Sequence, residues 1–452
     1  MFRWFLILLF ACCLSTDCSD KLSGLLYRSS LLDCQKKKEL AHFRDMVRSM
    51  LCYNKKIKQA KAELEKSKAQ YVAEGLGVLP TVSGNFGTSD SADYKLGVSV
   101  STSVNLFSVY SDISAAQLNY WIASLSYREV VQEQVKTLFS EILSVLEAQK
   151  SIKYWEEVID ARKKGVQMYG ERYKSGVSKR SEVSLSKSKL KKAVVSKIKV
   201  ENEWEIGASK IFELTGVHLD GYIHEDCVPD LNVVKRDFVN ANDASEFALV
   251  YTANSGNIPT SKSFLKLKIS KRSVIGKAPV KPSVNASWGY GYQSALGESS
   301  YGSNYSAGVG VSISAPGVMQ CVAAKKDVYA SRHAWEVQKE SVEQKMLEYY
   351  STASSTVEEI SEQKMQIKEQ EKAIVDIRHE VSAGLRDNVD LLDMISDMNA
   401  SIVSMFKMNH TLQTQFLEIM SSTGTLLEYM GVNVKHDGSS SYTLADVGAK
   451  DV

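Results

Sequence analysis

The sequence predicts an internally duplicated α+β membrane protein, with two transmembrane β-strands in each half and each strand pair running into a very long helix. Three observations lead there. First, two stretches alternate in polarity. Tyr94, Leu96, Val98, Val100, Val104 and Leu106 are separated by Lys95, Gly97, Ser99, Ser101, Ser103 and Asn105, and Tyr305, Ala307, Val309, Val311 and Ile313 by Ser306, Gly308, Gly310 and Ser312. A period of two gives one apolar and one polar face. The polar face is almost entirely Ser, Gly and Asn, which suits a water-filled lumen better than a sheet bathed in bulk solvent. Second, the two stretches lie about two hundred residues apart in matching contexts. Third, prolines are few, and Pro80, Pro279, Pro282 and Pro316 gather near the strands, leaving the long segments free to be unbroken helix.

The bulk properties are compatible with this. A chain of 452 residues, 44% hydrophobic and 24% charged, is globular in composition. Its formal net charge of +2 gives no overall pull toward nucleic acid. Arg3 followed by the apolar run Trp4 to Leu14 reads as a secretory signal over residues 1–18, too short to span a bilayer. Leu9-Phe10-Ala11-Cys12 loosely resembles a lipoprotein signal, which makes Cys12 a candidate for lipidation. Cys34, Cys52, Cys227 and Cys321 lack CxxC spacing and indicate neither a zinc site nor a disulfide framework. No later apolar run reaches the ~18 residues of a transmembrane helix, so a mature chain that crosses a membrane does so as strands.

Taken in order, residues 19–216 form a first repeat. It holds an N-terminal helix, strands at about 81–88 and 94–107, a long helix from Ser111 to Lys174, a tip turn near Gly176 and a return helix. Residues 217–281 break the helical pattern and read as a connector. Residues 282–430 repeat the arrangement, with strands at about 283–292 and 305–315, a helix from Val318 to Ser382 and a turn near Gly384. Residues 431–452 form a loose tail. Pro80 matches Pro282, and Gly176 matches Gly384 (384 − 176 = 208). The helices rest on apolar residues at threes and fours: Leu118, Ile122, Leu125, Val131, Val135, Leu138, Ile142 and Val145, and then Val337, Val342, Met346, Ile360, Ile367, Ile374 and Ile377. Such spacing predicts coiled-coil-like packing. At ~1.5 Å per residue the first helix reaches about 95 Å. The lysine-rich run from Lys187 to Lys199 reads as a solvated helix face.

The strands demand partners. A lipid-facing set including Phe86, Val98, Val100, Trp288, Tyr290, Val309 and Val311 needs every backbone polar group paired, which forbids an open edge. Four strands are too few to close a barrel, for which about eight is the practical minimum. Several copies must associate if the strands lie in lipid, and physics alone permits two, three or four.

Four strings then carry a resemblance: Leu79-Pro80-Thr81-Val82, Lys281-Pro282-Ser283-Val284, Glu171-Arg172-Tyr173-Lys174-Ser175-Gly176, and the run from Ala383 to Asp393. In that order and spacing they resemble the TolC family of outer membrane efflux proteins over nearly the whole mature chain. The resemblance implies a homotrimer, its four strands per chain forming a twelve-stranded β-barrel continued by a helical coiled-coil barrel. It places the protein in the outer membrane of a Gram-negative-type bacterium, extending into the periplasm. There it would be the passive exit duct of a tripartite efflux pump or type I secretion system, with a periplasmic adaptor and an inner membrane transporter as partners.

It also implies a periplasmic iris gate. Arg386 matches a gate arginine, Ser181 and Glu182 match its partners across helices, and Asp390 and Asp393 match acids that ring the constriction. Val381 stands where the family often has a tyrosine. Read without the resemblance, Asp387-Asn388-Val389-Asp390 is also an ordinary helix N-terminus, and both turn glycines are ordinary helix C-caps. No nucleophile–base pair, phosphate loop or metal-ligand set stands out, so the sequence points to no enzyme and no cofactor. The competing reading is an exported coiled-coil surface protein or adhesin without channel activity.

Overall fold

The computed structural model describes residues 43–77, 79–88, 94–219, 223, 256–295, 298–313, 315–383, 385–386 and 388–429. The expected signal over residues 1–18 with Cys12, the tail at 431–452, Gly384 and most of the connector lie outside the described residues. The elements are α1 (Phe43–Tyr53), α2 (Lys55–Leu76), β1 (Thr81–Thr88), β2 (Tyr94–Asn105), α3 (Leu106–Lys174), α4 (Arg180–Thr215), α5 (Ile258–Gly276), β3 (Val280–Ala295), β4 (Glu298–Ile313), α6 (Ala315–Ser382), α7 (Asn388–Thr423) and the short α8 (Leu426–Tyr429). No described helix is long and apolar enough to cross a membrane.

Several boundaries differ from the expected ones. The second strand stops at Asn105, because the Asn105 side chain accepts from the backbone N–H groups of Phe107 and Ser108 and so caps α3. The fourth strand begins at Glu298 instead of near 305, since the polar stretch read as a loop pairs residue for residue with β3. Within the expected connector, Ile258–Gly276 is helical. Asn257 caps it by accepting from Thr260 N–H, and Pro259 sits in its first turn, where no backbone donor is needed. Cys52 is disulfide-bonded, a bond that the cysteine spacing does not indicate.

The chain divides into two compact units. One comprises Gln59–Val130 and Gly256–Gln344. Its sheet has the order β1-β2-β3-β4, antiparallel throughout. Pro282 stands one residue beyond the end of the β2–β3 ladder, so its missing N–H costs no bond there. Below the strand roots α5 packs on the opening of α3. Lys262 pairs with Glu129 at 2.7 Å, and Arg272 donates to Ser114 Oγ at 2.6 Å while lying over the Tyr110 ring. Ser270 and Ser331 join α5 to α6 at 2.8 Å.

The other unit comprises Met1–Lys58, Val131–Ser255 and Lys345–Val452. Its core is the apolar stripe of α3, where Val131, Val135, Leu138, Ile142 and Val145 are all fully buried. The α6 residues Met346, Ile360, Ile374 and Ile377 are buried too, as are Phe416, Leu417 and Met420 of α7. Phe43 of α1 meets Phe139 edge to face with centroids 5.5 Å apart. Polar bridges sit at the margins of this core: Lys136–Glu418 at 2.9 Å and His410–Glu147 at 2.8 Å join α3 to α7.

The duplication is visible in the elements. Helices α4 and α7 start 208 positions apart (388 − 180 = 208) and both span 36 residues. Each ends at a left-handed glycine, Gly216 with φ 72° and Gly424 with φ 74°. Gly216 also needs space, since a Cβ there would come within 2.7 Å of the Tyr53 ring. Gly176, with φ 77°, has open space around it. Both glycine-to-alanine changes carry left-handed strain, but only Gly216→Ala adds a clash. It is expected to destabilise by at least about 1 kcal/mol more than Gly176→Ala. Denaturant unfolding followed by circular dichroism measures both, and equal losses would refute the role given to Tyr53.

Candidate functional site

Two places carry the chemistry that the sequence singles out. The first is the sheet. Its register lines up Val82, Val100 and Trp288 with Tyr305, and Val104 and Val284 with Val309. One face is therefore apolar across all four strands. It is uncovered in the single chain: Tyr305 is 87% exposed, Val309 82% and Ile313 78%. Tyr290, Tyr292 and Tyr301 cluster toward the hairpin ends, with Tyr292 and Tyr301 centroids 4.9 Å apart. The opposite face is stitched by small polar groups. Ser83 and Ser99 hydroxyls meet at 2.7 Å, Ser287 and Ser306 at 2.8 Å, and Ser103 donates to Asn285 Oδ1 at 2.6 Å. β1 and β4 are the two edges and do not pair with each other.

The second place is the pair of helical turns. At the first, Gly176 N–H donates to Tyr173 C=O and Val177 N–H to Arg172 C=O, the paired bonds of a Schellman motif. At the second, the Leu385 N–H donates to Glu380 C=O at 2.9 Å, the counterpart of the Val177 bond across residue 384. The side chains then diverge. Glu182, the third residue of α4, accepts from the Lys179 N–H at 3.0 Å and from the Ser178 hydroxyl at 2.5 Å. Its repeat counterpart is Asp390, and that of Ser178 is Arg386 (390 − 182 = 386 − 178 = 208). Arg386 donates to Asp390 Oδ2 at 3.2 Å and to Glu380 Oε2 at 3.1 Å, so it spans from the end of α6 to the start of α7. Equivalent positions thus carry a hydroxyl–acid pair in one half and an arginine bridge in the other.

These partners shift the ionisations. The Ser178 hydroxyl and the Lys179 N–H hold the Glu182 carboxyl below its ordinary range. A group depressed in this way contributes its full stability above the ordinary carboxylate range and loses it as pH falls through the lowered value. The bonds to Glu380 and Asp390 raise the Arg386 guanidinium further. Ser181 is exposed at the second position of α4. Within one chain Arg386 is engaged by Glu380 and Asp390, not by Ser181 or Glu182.

Asp390 and Asp393 lie one turn apart but have different surroundings. Asp390 is half exposed, whereas Asp393 is drawn against Arg162 of α3 and, at 2.7 Å, Lys189 of α4. The Arg162 side chain is only 13% exposed, and burial lowers its pKa. Sequence reasoning missed Arg162 and read Lys189 as solvated. The available signal was their near-equal distance from the turn glycine (176 − 162 = 14; 189 − 176 = 13), which makes them neighbours across an antiparallel pair. Among the described residues no cluster of His, Cys, Asp and Glu is arranged to hold a metal ion.

Residues 46–217 match the sequence pattern of the outer membrane efflux protein family. Among curated proteins none matches by sequence. Solved structures share the fold. The CusC structure, described as showing conformational changes accompanying folding and transmembrane channel formation, has a TM-score of 0.69 at 12% identity, covering 85% of this chain and 92% of that one. The outer-membrane channel OprN has 0.69 at 17% identity, covering 85% and 90%. The CmeC outer membrane channel of Campylobacter jejuni has 0.68 at 12% identity, covering 85% of each.

The ion triad at Asp393 ties three helices together, so Arg162→Gln and Asp393→Asn should each destabilise by about 2–3 kcal/mol. The double variant should cost little more than either single change. Denaturant unfolding of the cycle checks this, and strictly additive losses would show that the two groups do not act as a pair.

Proposed function

We propose, from the premise that this chain is a TolC-family outer membrane efflux protein, that three copies form a passive duct through the outer membrane and periplasm. The sheet carries this reading. Its apolar face is uncovered, its polar face is small and self-bonded, and both edge strands are open. In lipid an open edge is not tolerated, and four strands do not close. Three copies supply twelve strands, with β4 of one chain against β1 of the next, the apolar face toward lipid and the Ser/Gly/Asn face toward water. The long helices continue the wall as a coiled-coil tunnel in the periplasm. The helical turns meet there an adaptor and, through it, an inner membrane transporter that supplies the cargo. The same duct serves a tripartite efflux pump or a type I secretion system. The similar solved structures are channels rather than enzymes, and the chemistry of this chain is that of a conduit.

The turns act as the gate. Arg386, already bridging Glu380 and Asp390, reaches Ser181 and Glu182 of a neighbouring copy in the closed assembly. The half-exposed Asp390 lines the constriction, where three copies favour cations. Asp393 contributes chiefly through its hold on α3 and α4.

Purified protein in a planar bilayer should conduct as a trimer. Arg386→Ser and Glu182→Gln should each raise its resting conductance several-fold, and Asp390→Asn should lower cation selectivity with little change in stability. A protein that stays monomeric and does not conduct contradicts the duct. A conducting trimer with unchanged conductance in both gate variants contradicts the gate alone.

A further inference from the structure

We infer that Lys281 is a selectivity residue of the sheet-lined lumen, making that section favour anions. The inference rests on the trimeric-barrel reading above. The register pairs Lys281 with Ser312, in the row beside Ser283 and Gly310, on the face of small polar residues. Among the strand residues whose side chains are described, the alternation places two charged ones on that face, Lys95 and Lys281.

These two lie at opposite ends of the sheet. Lys95 pairs with Gly87 and Gln293 at the hairpin end. Lys281 stands at the strand root, 12 residues along β3 from Gln293 (293 − 281 = 12), or about 40 Å at ~3.4 Å per residue. At that end it has no acid in its row. Lys277, exposed on the link between α5 and β3, adds a second cation. Asp112, adjacent to the Ser111 that crowds Gly276, is the acid carried by the packed helix at this level. It is exposed, and among the described residues neither it nor Lys281 makes an ion pair.

Three copies place three Lys281 side chains around one cross-section, each beside the neutral strand residues Ser283, Gly310 and Ser312. Rings of charged side chains set the ion preference of a pore, and a wall of one sign focuses the field within it. The effect depends on salt, because the screening length is about 10 Å at 0.1 M and about 3 Å at 1 M.

The experiment compares full-length wild type, Lys281→Arg, Lys281→Gln and Lys281→Glu in planar bilayers by reversal potential across a KCl gradient near 0.1 M. Loss of the ring should raise the cation-to-anion permeability ratio at least about twofold in Lys281→Gln and more in Lys281→Glu. Lys281→Arg should match wild type, and the differences should shrink near 1 M. Conducting trimers whose ratio is the same in all four proteins overturn the role of Lys281 and leave the duct intact. Trimers that never conduct overturn the barrel reading and this inference with it.

Discussion

The constraint on which the structure depends is that backbone N–H and C=O groups in hydrocarbon must all be paired. The four strands satisfy one another at three interfaces and leave the outer edges of β1 and β4 open. Their apolar face, with Val309 and Ile313 four-fifths exposed, is as unsuited to water as those edges are to lipid. On the proposed reading, assembly of copies into a closed wall resolves both problems at once. The Ser–Ser and Ser–Asn bonds on the other face follow from the same constraint. On the proposed reading this face lines a lumen, where small polar groups that bond to each other leave the passage open.

The helical part works by a different economy. The Val177 N–H bond to Arg172 in one half and the Leu385 N–H bond to Glu380 in the other lie 208 residues apart, and each precedes a helix with an acid in its first turn. Only the side chains differ: Ser178 with Glu182 in the first half, Arg386 with Asp390 and Glu380 in the second. Duplication supplies the geometry, and substitution at equivalent positions makes the two turns unlike. In the proposed trimer a ring of these hairpins alternates hydroxyl–acid and arginine turns.

Local pattern was legible where side chains carry it. Thr81–Thr88 and Tyr94–Asn105 declare themselves by period two, and the stripe from Val131 to Val145 by period three to four. The stretch Glu298–Asn304 does not, because Ser, Gly and Asn are turn residues until a partner strand pairs with them. The helix Ile258–Gly276 is masked by the asparagines before it, which read as a break, although Asn257 and Pro259 are standard start signals. At the turns, the sequence supplied the residues but not their partners. Arg162 and Asp393 are far apart in the chain, and only the packing of α3 against α7 brings them together. Val337, part of the expected apolar stripe, is exposed on α6.

The most direct measurement is disulfide trapping between edge strands. Single cysteines placed along β1 are combined with single cysteines along β4 in full-length protein in membranes, then oxidised. The account predicts covalent species that stop at three chains, only for pairs on facing edge positions, and none when either cysteine is present alone. Cross-links formed within one chain, or ladders that grow beyond three, would contradict a wall completed by sister copies.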